Sequence, residues 1–280
     1  MPLYSMQEIL KDANERKYGV GFFNAINLEM VRALIEASEE LNSPIIIGTA
    51  EALLGFTPFE YISNILLDAA KKAKVPVAVH FDHCYNFTNI ILALKWGFGS
   101  VMFDGSRHSY ESNVKISSEI SKVTSAYGAG LECELGCVGG LEAENGEVDD
   151  GIYTNVEQAV DFIAKTNLDF LAISIGTVHG VYKVPPKLDL KRLADIRARV
   201  DVPLVLHGGS GLSDDDFRNV IRGGISKINI YTDIVLAARA AAELAVQKKS
   251  SYAELLGITI EGMKEQIKKK LTLFGSSGKA

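Results

Sequence analysis

Short apolar, β-branched runs alternate along the chain with longer segments of helical period, and the alternation repeats eight times. The runs are GVGFFNA (19–25), SPIIIGTA (43–50), VPVAVHFDH (75–83), GSVMFDGS (99–106), AGLECELG (129–136), FLAISIGT (170–177), VPLVLHGGS (202–210) and ISKINIYT (225–232). Between them lie NLEMVRALIEASEEL, TPFEYISNILLDAAKKA, NFTNIILALKWG, SYESNVKISSEISKVTSAYG, NVEQAVDFIAKT, DLKRLADIRARV and SDDDFRNVIRGG. Thr57, Asn86, Ser109 and Ser213 are the expected N-caps, since their side-chain oxygens can accept from first-turn amides. Eight βα units without a Pro-, Gly- or Ser-rich linker predict an α/β fold, one closed (β/α)8 TIM barrel forming a single domain over 1–280. A helical extension follows the last unit.

A doubly wound open sheet is the alternative, and the positions of the polar residues decide against it. Asp82, His83, Asp104, Glu134, His179, His207 and Asn229 all fall at or just beyond the C-terminal ends of the runs, and six different runs contribute. A closed barrel gathers those ends on one face, whereas an open sheet strands the outer ones far apart.

Three imidazoles at strand ends, His83, His179 and His207, form the ligand set of a catalytic zinc, which takes three protein ligands and keeps a fourth position open. A lone histidine at a strand end is more often a hydrogen-bonded structural residue. The joint placement of three out of five histidines favours the metal. His80, an odd number of residues before His83, is expected on the opposite side or in the core, and His108 in a loop.

Asp82 directly precedes a ligand, which places it beside the metal, where it can exchange a proton with a substrate hydroxyl or orient a histidine. Asp104 and Glu134 offer either a second metal position or loop hydrogen bonds. The GGSG after Leu206-His207 and the IYTD after Asn229 leave the last two strands, where barrels commonly frame a phosphate with loop amides and a helix N-terminus.

Composition narrows the partners. At 280 residues, 47% hydrophobic and 23% charged, the chain is of ordinary globular make-up. A net charge of −6 argues against nucleic acid and against an anionic membrane, both of which need clustered cations. The Lys-rich KEQIKKK at 264–270 is expected to be one solvated helix face. Three cysteines, no signal-like start and no long apolar run imply a reduced, cytoplasmic setting, with Cys133 and Cys137 as small packing residues.

The string HFDHC, the segment SVMFDGS, ECELGCVGG followed by Glu142, then IGTVHGVYK, VPLVLHGGSG, KINIYTD and the ending TLFGSSGKA resemble the class II, zinc-dependent fructose- and tagatose-bisphosphate aldolases. The similarity runs from SMQEIL to the last residues, with the motifs in order. It implies zinc on His83, His179 and His207, with Asp104 and Glu134 at an alternative metal position. Asp82 is then the residue exchanging a proton with the C4 hydroxyl, and Glu142 the acid acting at C3. Gly180, Lys183, Gly208, Gly209, Ser210, Asn229, Ile230, Tyr231 and Thr232 match the site for dihydroxyacetone phosphate. The resemblance further implies a monovalent cation, Na+ or K+, near the phosphate, no lysine Schiff base, and a homodimer or homotetramer packed through the helices around IEGMKEQIKKKL.

Two positions depart from the family pattern. The region that in bisphosphate-cleaving relatives carries an arginine for the distal phosphate reads QKKSSYAELLGIT here, and Tyr231 stands where Asp, Asn or a small residue is usual. The aldehyde half of the substrate is therefore open, and a non-standard ketose 1-phosphate fits the pattern. Two other functions fit the sequence less well. A catalytically silent aldolase-like subunit has no use for an open metal site, and a metallohydrolase needs carboxylates on early strands, which GFFNA and IIIGTA lack.

Overall fold

The computed structural model describes residues 3–140, 152–180, 182, 184 and 186–280. The predicted runs fold as β1 (Val20–Asn24), β2 (Ile45–Ala50), β3 (Val77–Cys84), β4 (Ser100–Phe103) and β5 (Gly130–Leu135), followed by β7 (Phe170–Ile173), β9 (Leu204–Leu206) and β10 (Ile225–Ile230). All pair in parallel and close on themselves, because β1 pairs with β2 at Phe22–Ile46 and with β10 at Val20–Lys227. The barrel is the TIM fold. Two two-residue strands, β6 (Gly139–Gly140) and β8 (Val178–His179), form a separate parallel ladder beyond the barrel ends.

Side chains alternate along each strand. Phe23, Ile47, Val79, Phe81, Leu131, Leu171 and Ile228 face outward into the layer shared with the helices. Phe22, Ile46, Ala78, Met102, Phe170, Ala172 and Val205 face inward. A fully buried side chain of this size stabilises by about 1.5–3 kcal/mol. Gly48 is an inward position with no room for more, since a Cβ there would stand 1.9 Å from the His80 carbonyl oxygen.

One helix lies outside the predicted segments. α1 (Met6–Arg16) starts at a Ser5/Glu8 capping box and buries Met6, Ile9, Leu10 and Ala13 against the inward residues. It closes the N-terminal end of the barrel, so the opposite end alone is open to carry chemistry. The outer helices are α2 (Leu28–Glu40), α3 (Phe59–Lys72), α4 (Phe87–Trp96), α5 (Tyr110–Tyr127), α6 (Val156–Thr166), α7 (Leu190–Arg197) and α8 (Asp214–Arg222), then α9 (Thr232–Gln247) and α10 (Tyr252–Leu273).

Asn86, Ser109 and Ser213 cap α4, α5 and α8 as expected. Thr57 does not cap α3: Pro58 takes the N-cap position, and the Thr57 hydroxyl donates instead to the Ile26 carbonyl. The solvated face expected for 264–270 is also corrected. Lys264 and Lys268 pair with Glu40 on α2 at 3.0 Å each. Lys270 is buried, 2.6 Å from Asp233 and over the Phe217 ring. The lysines thus fasten α10 to α2 and α9 within the chain, because α10 presents Ile260, Met263, Ile267 and Leu271 inward between them.

Candidate active site and metal centre

β3 supplies two site residues by breaking its own regularity. Adjacent residues in a strand point to opposite faces, yet Asp82 and His83 both serve the barrel mouth. His83 has φ +40°, and the pairing with β4 shifts register between Phe81 and Cys84. Such a bulge re-aims a side chain, and a left-handed non-glycine is strain that packing must hold in place.

The donor atoms of His83, His179 and His207 lie within 4.8 Å of one another. His83 Nδ1 is 3.0 Å from Asp104 Oδ2, and His207 Nε2 is 2.8 Å from Glu132 Oε1. Each carboxylate accepts an N–H, which assigns the tautomer of its imidazole. The opposite nitrogens, His83 Nε2 and His207 Nδ1, then face each other at 2.7 Å with lone pairs directed inward. The two nitrogens converge as ligands of one cation would, and carboxylate-anchored imidazoles are the usual support for a bound metal. Burial, above all, holds His207 well below the ordinary histidine range, so it is the neutral ligand form. His179 comes from the β8 ladder, past the end of β7, not from a barrel strand.

Asp82 is buried and accepts from Asn24 Nδ2 at 2.9 Å and from Asn229 Nδ2 at 3.1 Å. Burial opposes its ionisation, but the pull of the neighbouring His83 and of the Lys227 ammonium and the Asn24 hydrogen bond hold it below the usual carboxylate range. Asp104 is depressed in the same way: burial is outweighed by the His83 hydrogen bond and charge and by Ser106. Its Oδ2 also accepts from the Tyr85 hydroxyl at 3.0 Å. Glu134 Oε1 accepts from the Val138 N–H at 2.9 Å, and Glu134 and Asp104 share a second cluster with His83.

A cavity of about 390 Å³ opens here, and Asp82, His83, His179, Gly180, Gly208, Gly209, Ser210, Asn229, Ile230, Tyr231 and Thr232 line it. Ser210 Oγ accepts from the N–H groups of Tyr231 and Asp233 at 3.3 Å each, tying the glycine loop to the start of α9. The lining also includes the apolar Ala50, Ala52, Leu53, Val235 and Leu236, and no lysine or arginine is among the described lining residues. Glu142 and Lys183 lie outside the described residues.

The residue pattern missed several contributors. Glu132 and Lys227 form a fully buried ion pair at 2.8 Å behind His207. Their signal was a charge at an inward position of an otherwise apolar run. Asn24 ends β1, and its last-residue position was the only sign of its role. Tyr182 donates to the Gly208 carbonyl at 2.7 Å and accepts from the Val178 N–H at 3.1 Å, joining the glycine loop to β8. His80, expected opposite His83 or in the core, stands inside the barrel with Nδ1 2.8 Å from Ser100 Oγ.

The class II fructose-bisphosphate aldolase profile matches residues 4–279. The chain belongs to this family. A fructose-bisphosphate aldolase of Staphylococcus epidermidis is 39% identical over 289 residues, covering 100% of both chains. A sulfofructosephosphate aldolase of Alkalicoccus urumqiensis is 36% identical over 287 residues, covering 100% of this chain and 99% of its own. The crystal structure of the YdjI aldolase of Escherichia coli K12 superposes with a TM-score of 0.90 at 34% identity, covering 100% of each chain. This class II aldolase is therefore a lyase acting on a phosphorylated sugar, of a generally metal-dependent family. Among its described residues no helix is long and apolar enough to cross a membrane.

Proposed function

We propose that this aldolase holds one zinc ion on His83, His179 and His207 and reversibly cleaves a ketose 1-phosphate to dihydroxyacetone phosphate and an aldehyde. The convergence of His83 Nε2 and His207 Nδ1 at 2.7 Å, each imidazole backed by a carboxylate, carries the reading. Three nitrogen ligands with an open position suit zinc, which when bound would supply a Lewis acid that polarises the substrate ketone.

The chain's own groups account for the rest. Asp82, ionised and held by two amides, takes the proton of the C4 hydroxyl as the C3–C4 bond breaks and returns it in the condensation direction. The family resemblance assigns proton transfer at C3 to Glu142. The phosphate end sits against Gly208, Gly209 and Ser210 and the first turn of α9. Two features support this: Tyr231 caps α9 without a side-chain bond, and the N-terminus of a 16-residue helix favours an anion. Gly180, Lys183 and a monovalent cation belong to the same subsite. Asp104 and Glu134, sharing His83, provide the alternative metal position.

The names of two relatives each give the sugar a second anionic group, a phosphate in one and a sulfo group in the other. A described cavity lining without lysine or arginine supports a ketose 1-phosphate whose distal end carries no phosphate. Chelation tests the metal. Removing the ion should abolish aldol cleavage, zinc should restore it, and borohydride with substrate should leave the enzyme active. Trapping of substrate on a lysine would overturn the proposal.

A further inference from the structure

Lys227 and Glu132 are the only oppositely charged lysine or arginine and carboxylate pair at 0% exposure on both sides among the described ion pairs. Desolvating an ammonium and a carboxylate is costly, and apolar residues of like size usually serve a barrel interior as well. The pair therefore calls for a reason other than stability. Lys227 Nζ sits 4.5 Å from the centre of the Phe22 ring and donates to Glu132 Oε2 at 2.8 Å. The other oxygen, Oε1, accepts from His207 Nε2 at 2.8 Å. His80 Nε2 stands 3.6 Å from Glu132 Oε2 and 3.8 Å from Asp82 Oδ1, both too far for a good hydrogen bond, and makes no hydrogen bond.

We propose that Lys227 is a positioning residue: it fixes the Glu132 carboxylate so that Oε1 takes the His207 Nε2 proton and His207 presents Nδ1 to the mouth. The chain runs ammonium, carboxylate, imidazole, and its outer end is a nitrogen 2.7 Å from His83 Nε2. The triad His80, Asp82 and Glu132, which has the make-up of a cation site, is served by the Lys227 ammonium. With Lys227 removed, Oε2 loses its donor, and Glu132 is free to turn toward His80. His207 then loses the acceptor that fixes its tautomer. This rests on the metal reading of the three histidines, and the experiment separates the two.

The test uses the full-length chain, with Lys227→Met and the double variant Glu132→Gln/Lys227→Met. The tautomer of His207 is read in the metal-free protein by long-range proton–nitrogen correlation, and zinc affinity by competition with a chelator. Expected are an Nε2–H tautomer in the parent, a mixed or Nδ1–H tautomer in Lys227→Met, and a 10- to 100-fold loss of zinc affinity, the usual effect of losing such support. The double variant should recover most of both, because a neutral glutamine needs no counter-ion and still offers an oxygen to His207. A Lys227→Met protein with the parent tautomer and affinity overturns the proposal. If that variant does not fold, the double variant decides: a folded double that keeps the tautomer supports the role, and one that has lost it overturns the role. A parent that binds no zinc defeats the metal reading alone, since the metal-free tautomer is still measurable.

Discussion

Asn229 on β10 donates from Nδ2 to both oxygens of Asp82 on β3, at 3.1 and 3.3 Å, while Asn24 donates to the same carboxylate from β1. A carboxylate held by two neutral amides keeps its direction, and Asp82 stands ionised, ready to accept a proton. Asp82→Ala should therefore retain zinc and lose about 10²–10⁴ in kcat, the usual range for a general acid–base group. Metal content and single-turnover kinetics check this. Activity within a few-fold of the parent would leave Asp82 as no more than an anchor for the two asparagines.

Gly208 makes a separate demand on the backbone. It has φ +66°, and a Cβ there would meet the Val178 carbonyl oxygen at 2.5 Å. Gly208→Ala must either strain the loop or displace β8, which carries His179. Strain of this kind costs about 1–3 kcal/mol. A lower melting temperature and a higher KM for the phosphorylated substrate are expected together. Gly55→Ala, where nothing lies within 4 Å of a Cβ, is the control and should change neither.

The sequence made the eight strands legible because each run is buried on both faces, and the mouth because Asp82, His83 and His207 stand at strand ends. The bulge at His83 left no mark, since φ +40° comes from packing. Glu132 and Lys227 stayed hidden for another reason: each alone is an isolated charge, and they meet only across 95 residues of chain. Ile9, Leu10 and Ala13 of α1 are equally mute until the barrel supplies the interior they fill.

The assembly surface moves once α10 is seen. Its apolar residues pack within the chain, whereas α9 exposes Leu236, Leu244 and Val246 at 47%, 45% and 65%. A homodimer or homotetramer should use the exposed C-terminal turns of α9, where Leu244 and Val246 stand, since Leu236 belongs to the cavity wall. Leu244→Glu with Val246→Glu should shift the mass measured by light scattering toward the monomer while the circular dichroism of the barrel is retained. A parent that is monomeric at working concentrations contradicts this.

The substrate's far end is where the cavity is most informative. A terminal phosphate carries nearly two negative charges and is held by a guanidinium or several donors. The described lining offers no lysine or arginine, and among its apolar residues are Ala50, Ala52, Leu53, Val235 and Leu236, while QKKSSYAELLGIT has no arginine. Tyr231, in the same cavity, is a phenol that burial keeps protonated, so it adds a hydrogen bond and no positive charge. The proximal phosphate should be essential and the distal one dispensable. A panel of ketose 1-phosphates with hydroxyl, carboxylate, sulfo and phosphate ends, compared by kcat/KM, checks this. The monophosphates should match or exceed fructose 1,6-bisphosphate. A preference above about 10³ for the bisphosphate, roughly 4 kcal/mol in the transition state, requires a cation brought to this cavity from outside the described lining and overturns the expectation.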